Sequence, residues 1–331
     1  MNRRNLVKVK FNNHNPQCVA HLRRYFSATG YLLIMFKTDF IYLPVVPICN
    51  RCCRCKLISS VLKTFQSAIL ATFLLGSSGA AYAEQITVGG TGSALGVMRV
   101  LMAEFERTHP EVDGTVLPSL GSGGGVKALL ARKIDIAVTA RPLKEKENNG
   151  ELSLYYYGRS PLALVTFDDV GVSDLTRQDI QSIFAGETTH WPSGEAIRLV
   201  LRVSSETDSK LLFTLADGLH EAYEMQRFNA GIPTAVTDQE NVELLSMLDG
   251  SFGSITLSQI RSEKLHAHIF SLDGIEASVA NIKDGRYPLW KSYWIVTQND
   301  MSPSVSSFLE FVRSRRGREI LLATGHDVAQ P

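Results

Sequence analysis

LGSGGGVKALLARKIDIAVTA, residues 120–140, sets three consecutive glycines behind a serine and directly before a short amphipathic segment. Two readings compete. One is a loop that lets the backbone approach an anion. The other is a flexible joint with no chemistry. Working outward, "IDIAVTA" reads as a strand, "VKALLARK" as a helix, "GSGGG" as a loop and the preceding "GTVLPSL" as a strand. Upstream, QITVGGTGSALGVMRVLMAEFERTHPEV, residues 85–112, repeats the arrangement. Ile86–Val88 reads as a strand and "GGTGS" as a loop. Leu95, Met98, Leu101, Met102 and Phe105 then recur at helical period, with Ser93 as candidate N-cap. Strand, glycine loop, helix, strand, glycine loop, helix, strand implies an α/β lobe with a largely parallel sheet.

Downstream the pattern continues. "SPLALVTF" (160–167) and "AIRLVLRV" read as strands, and "SDLTRQDIQSIFAGE" as a helix capped by Ser173 or Asp174. Helical stretches follow in "SKLLFTLADGLHEAYEMQRF" and "DQENVELLSML". "GSFGSITLSQI" reads as a turn with a strand, "GRYPLWKSYWIVT" as an extended segment, and "SVSSFLEFVRSRRGREILLATGH" as a closing helix.

Charge divides the chain. Residues 1–83 carry 11 Lys/Arg and one acid, Asp39, leaving 23 basic and 32 acidic residues in 84–331. An acidic body attracts no phosphate backbone, which argues against nucleic acid as a partner. Lys56 and Lys63 precede the apolar run "FQSAILATFLL", and Ala81-Tyr82-Ala83 fits a small-x-small cleavage site. That run is short for a membrane span. The expectation is a leader cut after Ala83 and a periplasmic body. All five cysteines lie in the leader, so the body is cysteine-free. "CNRCCRC" lacks a second ligand pair at finger-like spacing, so no metal site is expected there.

Nucleotide chemistry finds little footing. "GSGGGVKA" lacks the lysine-hydroxyl ending of a phosphate-binding P-loop, and "GGTGSALG" departs from G-x-G-x-x-G. "HAH" at 266–268 reads as ordinary histidines. No cofactor and no metal are expected. The informative feature is that both glycine loops open helices and both carry a serine, Ser93 and Ser122. A helix start offers unpaired N–H groups and partial positive charge. Two of them aimed at one crevice would form an anion site.

Over residues 86–327 the chain resembles the substrate-binding proteins of phosphate ABC transporters, the Pst-type periplasmic receptors and their PBP-like relatives. The stretches that carry the resemblance are the two already quoted, with "DIQSIFAGETTHW", "GSFGSITLSQI", "DGRYPL" and "FLEFVRSRRGREILLATGH". The resemblance implies a two-lobed α/β periplasmic-binding-protein fold (type II-like) with a hinge. The first lobe would be 84–160 plus 269–331 and the second 161–268, with crossings at "RSPLALV" and "SLDGIEA". A small oxyanion would lie between the lobes. Its hydroxyl and backbone donors would fall on Ser93, Ala94, Ser122 and Gly123, with Thr139 in the "TARPL" turn and Arg202 in the second lobe. Two departures stand out. Ala140 replaces the family's aspartate, and Glu206 and Asp208 stand where the family has serine and threonine. Glu206 is the expected substitute acceptor for a protonated oxyanion.

The resulting expectation is a monomeric receptor, not an enzyme, that delivers a small oxyanion to an inner-membrane ABC permease. Rival readings are a binding fold with another ligand, zwitterionic or cationic, or a sensor or adhesion role. Further off lies a secreted hydrolase using Glu206, Asp208 and His190, although neither G-x-S-x-G nor H-E-x-x-H occurs.

Overall fold

The computed structural model describes residues 84–229 and 231–328, with the backbone of two leader strands. The chain divides into two units, residues 1–80 and 81–331. In the first, Leu32–Met35 and Phe40–Leu43 form an antiparallel hairpin. The leader cysteines and the Ala81-Tyr82-Ala83 site lie outside the described residues.

In the second unit, strand β1 (Glu84–Gly90) feeds helix α1 (Gly92–Thr108). Then come β2 (Val112–Val116), α2 (Gly121–Leu130) and β3 (Ile136–Thr139). The three strands are parallel, with β1 between its neighbours. Gly90 has φ +137°, and a Cβ there would run into the backbone of Val138. Only glycine lets β1 leave the sheet so close to β3. Helix α1 starts at Gly92 behind an N-cap, Thr91, that makes no side-chain cap bond. Ser93 is therefore in the first turn and is not the cap.

The glycine triplet is also helical. Helix α2 begins at Gly121, which has φ +67°. Each glycine of the triplet meets something different. A Cβ on Gly125 would lie 2.7 Å from Gly90 Cα, whereas one on Gly123 would meet only Arg141 Nη2 at 3.7 Å. Close packing of helix on strand accounts for Gly125. The "GSGGG" loop expected from the sequence is thus the first turns of α2.

Strand β4 (Leu152–Thr166) ties the unit together. Its first half pairs antiparallel with β11 (Trp290–Gln298), which in turn pairs with β3. Its second half pairs antiparallel with β9 (Ser251–Thr256) and β10 (His268–Leu272). Gly158, at φ +154°, lets the carbonyl of Asp327 approach the strand; a Cβ there would be 2.9 Å away. Gly158 reads as a breaker, so the sequence predicts a strand only from residue 160.

Apolar side chains gather in two main clusters. One unites Ile86, Val88, Leu101 and Phe105 with Tyr157, Tyr293, Phe308 and Leu321. The other unites Leu162–Val165 with Ile180, Phe184, Tyr223, Leu245, Phe252, Phe270 and Leu289. A smaller cluster under α2 includes Val126, Leu129 and Val296. The apolar residues from Phe270 to Leu289 thus join the second core, although the sequence reading placed 269–331 in the first lobe.

The second core is enclosed by α3 (Arg177–Ala185), α4 (Thr207–Leu212), α5 (Leu219–Arg227) and α6 (Asp238–Met247). Thr176 caps α3 by accepting the Asp179 N–H at 3.1 Å, in place of Ser173 or Asp174. Asp174 instead belongs to a short strand, β5 (Asp174–Leu175), beside β10. "AIRLVLRV" holds two short strands, β6 (Arg198–Leu199) and β7 (Leu201–Arg202); β6 joins β9, and β7 pairs with β8 (Thr234–Ala235). The "LSQI" that ends the stretch read as a turn with a strand is helical: α7 (Leu257–Ser262) follows β9 at once. The closing segment breaks at Ser314 into α9 (Pro303–Arg313) and α10 (Arg315–Ala323), after the short α8 (Val279–Lys283). Ser314 restarts the helix by accepting the Gly317 N–H at 3.2 Å.

Candidate functional site

Four buried charges meet where the two cores face each other. Arg202 ends β7, Asp208 lies in the first turn of α4, Asp238 opens α6, and Lys291 lies on β11; each is at most 6 % exposed. Lys291 Nζ is 2.5 Å from Asp208 Oδ1 and 3.4 Å from Asp238 Oδ1. Arg202 Nη2 is 3.5 Å from Asp238 Oδ1, and its Nε is 3.9 Å from Asp208 Oδ2. Each cation therefore faces both carboxylates, and the formal charges cancel.

The start of α1 completes the group. Lys291 Nζ donates to Ser93 Oγ at 3.1 Å. The Ser93 backbone N–H favours the ionised Asp238 carboxylate. Burial by itself would raise the Asp238 carboxyl. Lys291 and Arg202, with the Ser93 N–H, outweigh it and hold the group below the usual carboxylate range. Burial would likewise lower the Lys291 ammonium, but Asp208 and Asp238 reverse the direction and raise it. Both groups are thus held charged at neutral pH.

Local structure explains the placement. Tyr223, buried on α5, grips the Arg202 backbone from both sides. Its Oη accepts the Arg202 N–H at 2.6 Å and donates to the Arg202 carbonyl at 2.7 Å. Arg202 Nη1 also donates to the Ala235 carbonyl at 3.3 Å. Thr237 caps α6 by accepting the Glu240 N–H at 3.1 Å, which fixes Asp238 as the first helical residue.

Of the residues expected from sequence, Ser93 and Arg202 enter this cluster. The Ala94 N–H donates to the Thr91 carbonyl at 3.2 Å. Ser122 Oγ accepts the Ala140 N–H at 3.0 Å, and Thr139 Oγ1 donates to the Arg141 carbonyl at 2.8 Å. These bonds shape the turn after β3. Gly123 is exposed in α2. Glu206 is the half-buried N-cap residue of α4, and its side chain makes no cap bond. The carboxylates of the buried cluster are Asp208 and Asp238. His190 contacts Thr189 Oγ1, away from the Asp208 pairings. Among the described residues, no group of three or more His, Cys, Asp or Glu side chains is placed to hold a metal.

Sequence reasoning missed Lys291, Asp238 and Tyr223. Lys291 left a signal, a lone charge within the apolar run "YPLWKSYWIVT". Asp238 left none, because an acid in a first helical turn is ordinary.

A two-lobed α/β architecture with shared crossing strands defines the class of periplasmic-type binding proteins. A family model described as a PBP superfamily domain matches residues 76–316. The chain belongs to the PBP superfamily. Among its relatives, the phosphate-binding protein PstS of Bacillus subtilis is 23% identical over 238 residues, covering 69% of this chain and 75% of the relative. Protein SphX of Synechococcus elongatus is 25% identical over 258 residues, covering 70% and 74%. Among solved structures, a candidate substrate-binding protein of a phosphate ABC transporter from Clostridium perfringens, with bound phosphate, superposes with a TM-score of 0.63 at 20% identity. That match covers 75% of this chain and 100% of the other. An ABC-type phosphate transport receptor from Vibrio cholerae superposes with a TM-score of 0.51 at 20% identity, over the same shares.

Proposed function

We propose that this chain is an exported substrate-binding protein of an ABC transporter, and that it holds a small phosphate-like oxyanion between its lobes. The observation that carries the reading is the convergence of Arg202, Lys291 and the first turn of α1 at Ser93 on one buried point of the cleft. Two cations and a helix start form an anion seat. The relatives' names and the matching architecture support the same reading. Ser93 and Arg202 contact the ligand directly, joined by Lys291. Ser122, Gly123 and Thr139 shape the rim on the first lobe, beside Ala140. The body is released after Ala83, acts as a monomer, performs no catalysis and needs no cofactor. An inner-membrane permease receives the ligand.

Isothermal calorimetry with inorganic phosphate, on residues 84–331 and on its Arg202→Met variant, tests the site. Saturable 1:1 binding that the variant loses supports it. A wild-type chain that binds no oxyanion, phosphate or sulfate at millimolar concentration overturns it. N-terminal sequencing of exported material checks the cut, and a mature form retaining residues 49–55 overturns export by this signal.

A further inference from the structure

The anion seat already holds an anion. Asp238, from the second lobe, places its carboxylate against Arg202, Lys291 and the Ser93 N–H, the donors that the reading above assigns to a ligand. The fit is close. A Cβ built on Gly92, the first residue of α1, would lie 2.8 Å from Asp238 Oδ2. The next residue of α6 extends the contact, with Gln239 Nε2 donating to the Gly92 carbonyl at 3.1 Å. Helix α1 belongs to the first core, and α6 contributes Leu245 to the second. These contacts therefore join the lobes across the cleft.

We propose that Asp238 is a resident competitor for the ligand: its carboxylate fills the seat, fastens the lobes shut without ligand, and must be displaced before an oxyanion binds. This inference rests on the proposed function for what the ligand is, but the fastening stands on the contacts alone. Charge supports the exchange. With Asp238 in place the seat is neutral. With Asp238 turned out, Arg202, Lys291 and Asp208 leave a net single positive charge. A singly charged oxyanion then restores neutrality, whereas a dianion overshoots it. Asp238 thus sets both the affinity and the preferred charge of the ligand.

The test uses two variants and two readouts on residues 84–331. Asp238→Asn keeps the size and removes the charge. Gln239→Ala keeps all four charges and removes the cross-lobe bond. Small-angle scattering without ligand reads closure, and calorimetry with inorganic phosphate reads affinity. The expected result is an opened, larger envelope for Asp238→Asn, with phosphate bound at least tenfold more tightly than by the wild type. A smaller change in the same direction is expected for Gln239→Ala. Phosphate binding unchanged or weakened in Asp238→Asn overturns the competitor and makes Asp238 an acceptor for the ligand's proton. If neither protein binds phosphate, the proposed function fails, and scattering still decides the fastening. Envelopes as compact in both variants as in the wild type overturn it.

Discussion

Lys291 and Asp208 meet at 2.5 Å out of reach of solvent, the shortest link in the buried charge cluster. Lys291 comes from β11 and Asp208 from the first turn of α4. The ammonium also reaches Asp238, so one side chain bridges two carboxylates. Replacing Lys291 with Met leaves those carboxylates facing each other with Arg202 as their shared cation. The expected loss is about 3–5 kcal/mol, as for one broken partner of a buried ion pair. Urea unfolding measures it. Adding Asp208→Asn to Lys291→Met leaves Arg202 with Asp238 and should recover most of the loss. No recovery would show that the four charges do not act as a set.

Tyr223 tests how the second lobe holds its arginine. Tyr223→Phe deletes the hydroxyl that bonds both the N–H and the carbonyl of Arg202. A buried backbone N–H is left unpaired, at an expected cost of about 1–3 kcal/mol. Phosphate affinity should fall as well, because the guanidinium loses its fixed base. A variant as stable as the wild type would mean that the backbone finds another partner.

The glycine triplet separates into packing and exposed positions. Gly125→Ala pushes a methyl toward Gly90 Cα, against backbone that cannot swing away. A destabilisation of about 1–3 kcal/mol is expected, typical of overpacking. Gly123→Ala adds a methyl on a helix with only Arg141 Nη2 in ordinary contact at 3.7 Å, and should stabilise by about 0.5–1 kcal/mol. Thermal melts of the two variants should move in opposite directions. If Gly123→Ala also abolishes phosphate binding, the rim of α2 touches the ligand directly.

His326 gives the fold an acid-sensitive point. The ring is fully buried against Tyr157 and Tyr293, and burial lowers its pKa to about 4, against a weaker upward pull from the Leu321 carbonyl. The unfolded chain, with an ordinary imidazole near 6.5, binds the proton first as pH falls. Stability is therefore fully present above about pH 6.5 and declines as pH falls toward 4. The expected contribution is a loss of about 2 kcal/mol between pH 7 and pH 5. Asp238 does not add to that window, because a depressed carboxyl loses its contribution only below the usual carboxylate range. Urea midpoints of wild type and His326→Phe at both pH values isolate the effect. Parallel pH dependence in the two proteins rules it out.

The repeated strand-loop-helix pattern was legible because glycine and helical period are local signals. Leu95, Met98, Leu101, Met102 and Phe105 are all buried on α1, as their spacing predicts. The charge cluster was not legible in the same way. Asp238 becomes buried only because α6 packs end-on against α1, a relation between segments far apart in sequence. Glu206, the nearer candidate by family position, stays at the helix cap, while the first turn of α4 delivers Asp208 instead. The resemblance pointed to Glu206, whereas the side chain of this loop that meets Lys291 and Arg202 is Asp208. Strand β4 was half missed for a related reason: the neighbouring Asp327 carbonyl, which makes Gly158 fit within a strand, comes from near the C-terminus.

The cores share their crossing strands, and this has a mechanical consequence. Between Leu152 and Thr166, β4 passes from one core to the other without a break, and β11 runs beside its first half. Parting the lobes is then flexure of a hydrogen-bonded ribbon, with an elastic restoring force distributed along its length. The register of the ribbon slips between Tyr293 and Trp294, two residues beyond Lys291. The irregularity of the ribbon therefore lies close to its charged clasp, and any flexure concentrated there would strain the contacts of the lysine with its carboxylates.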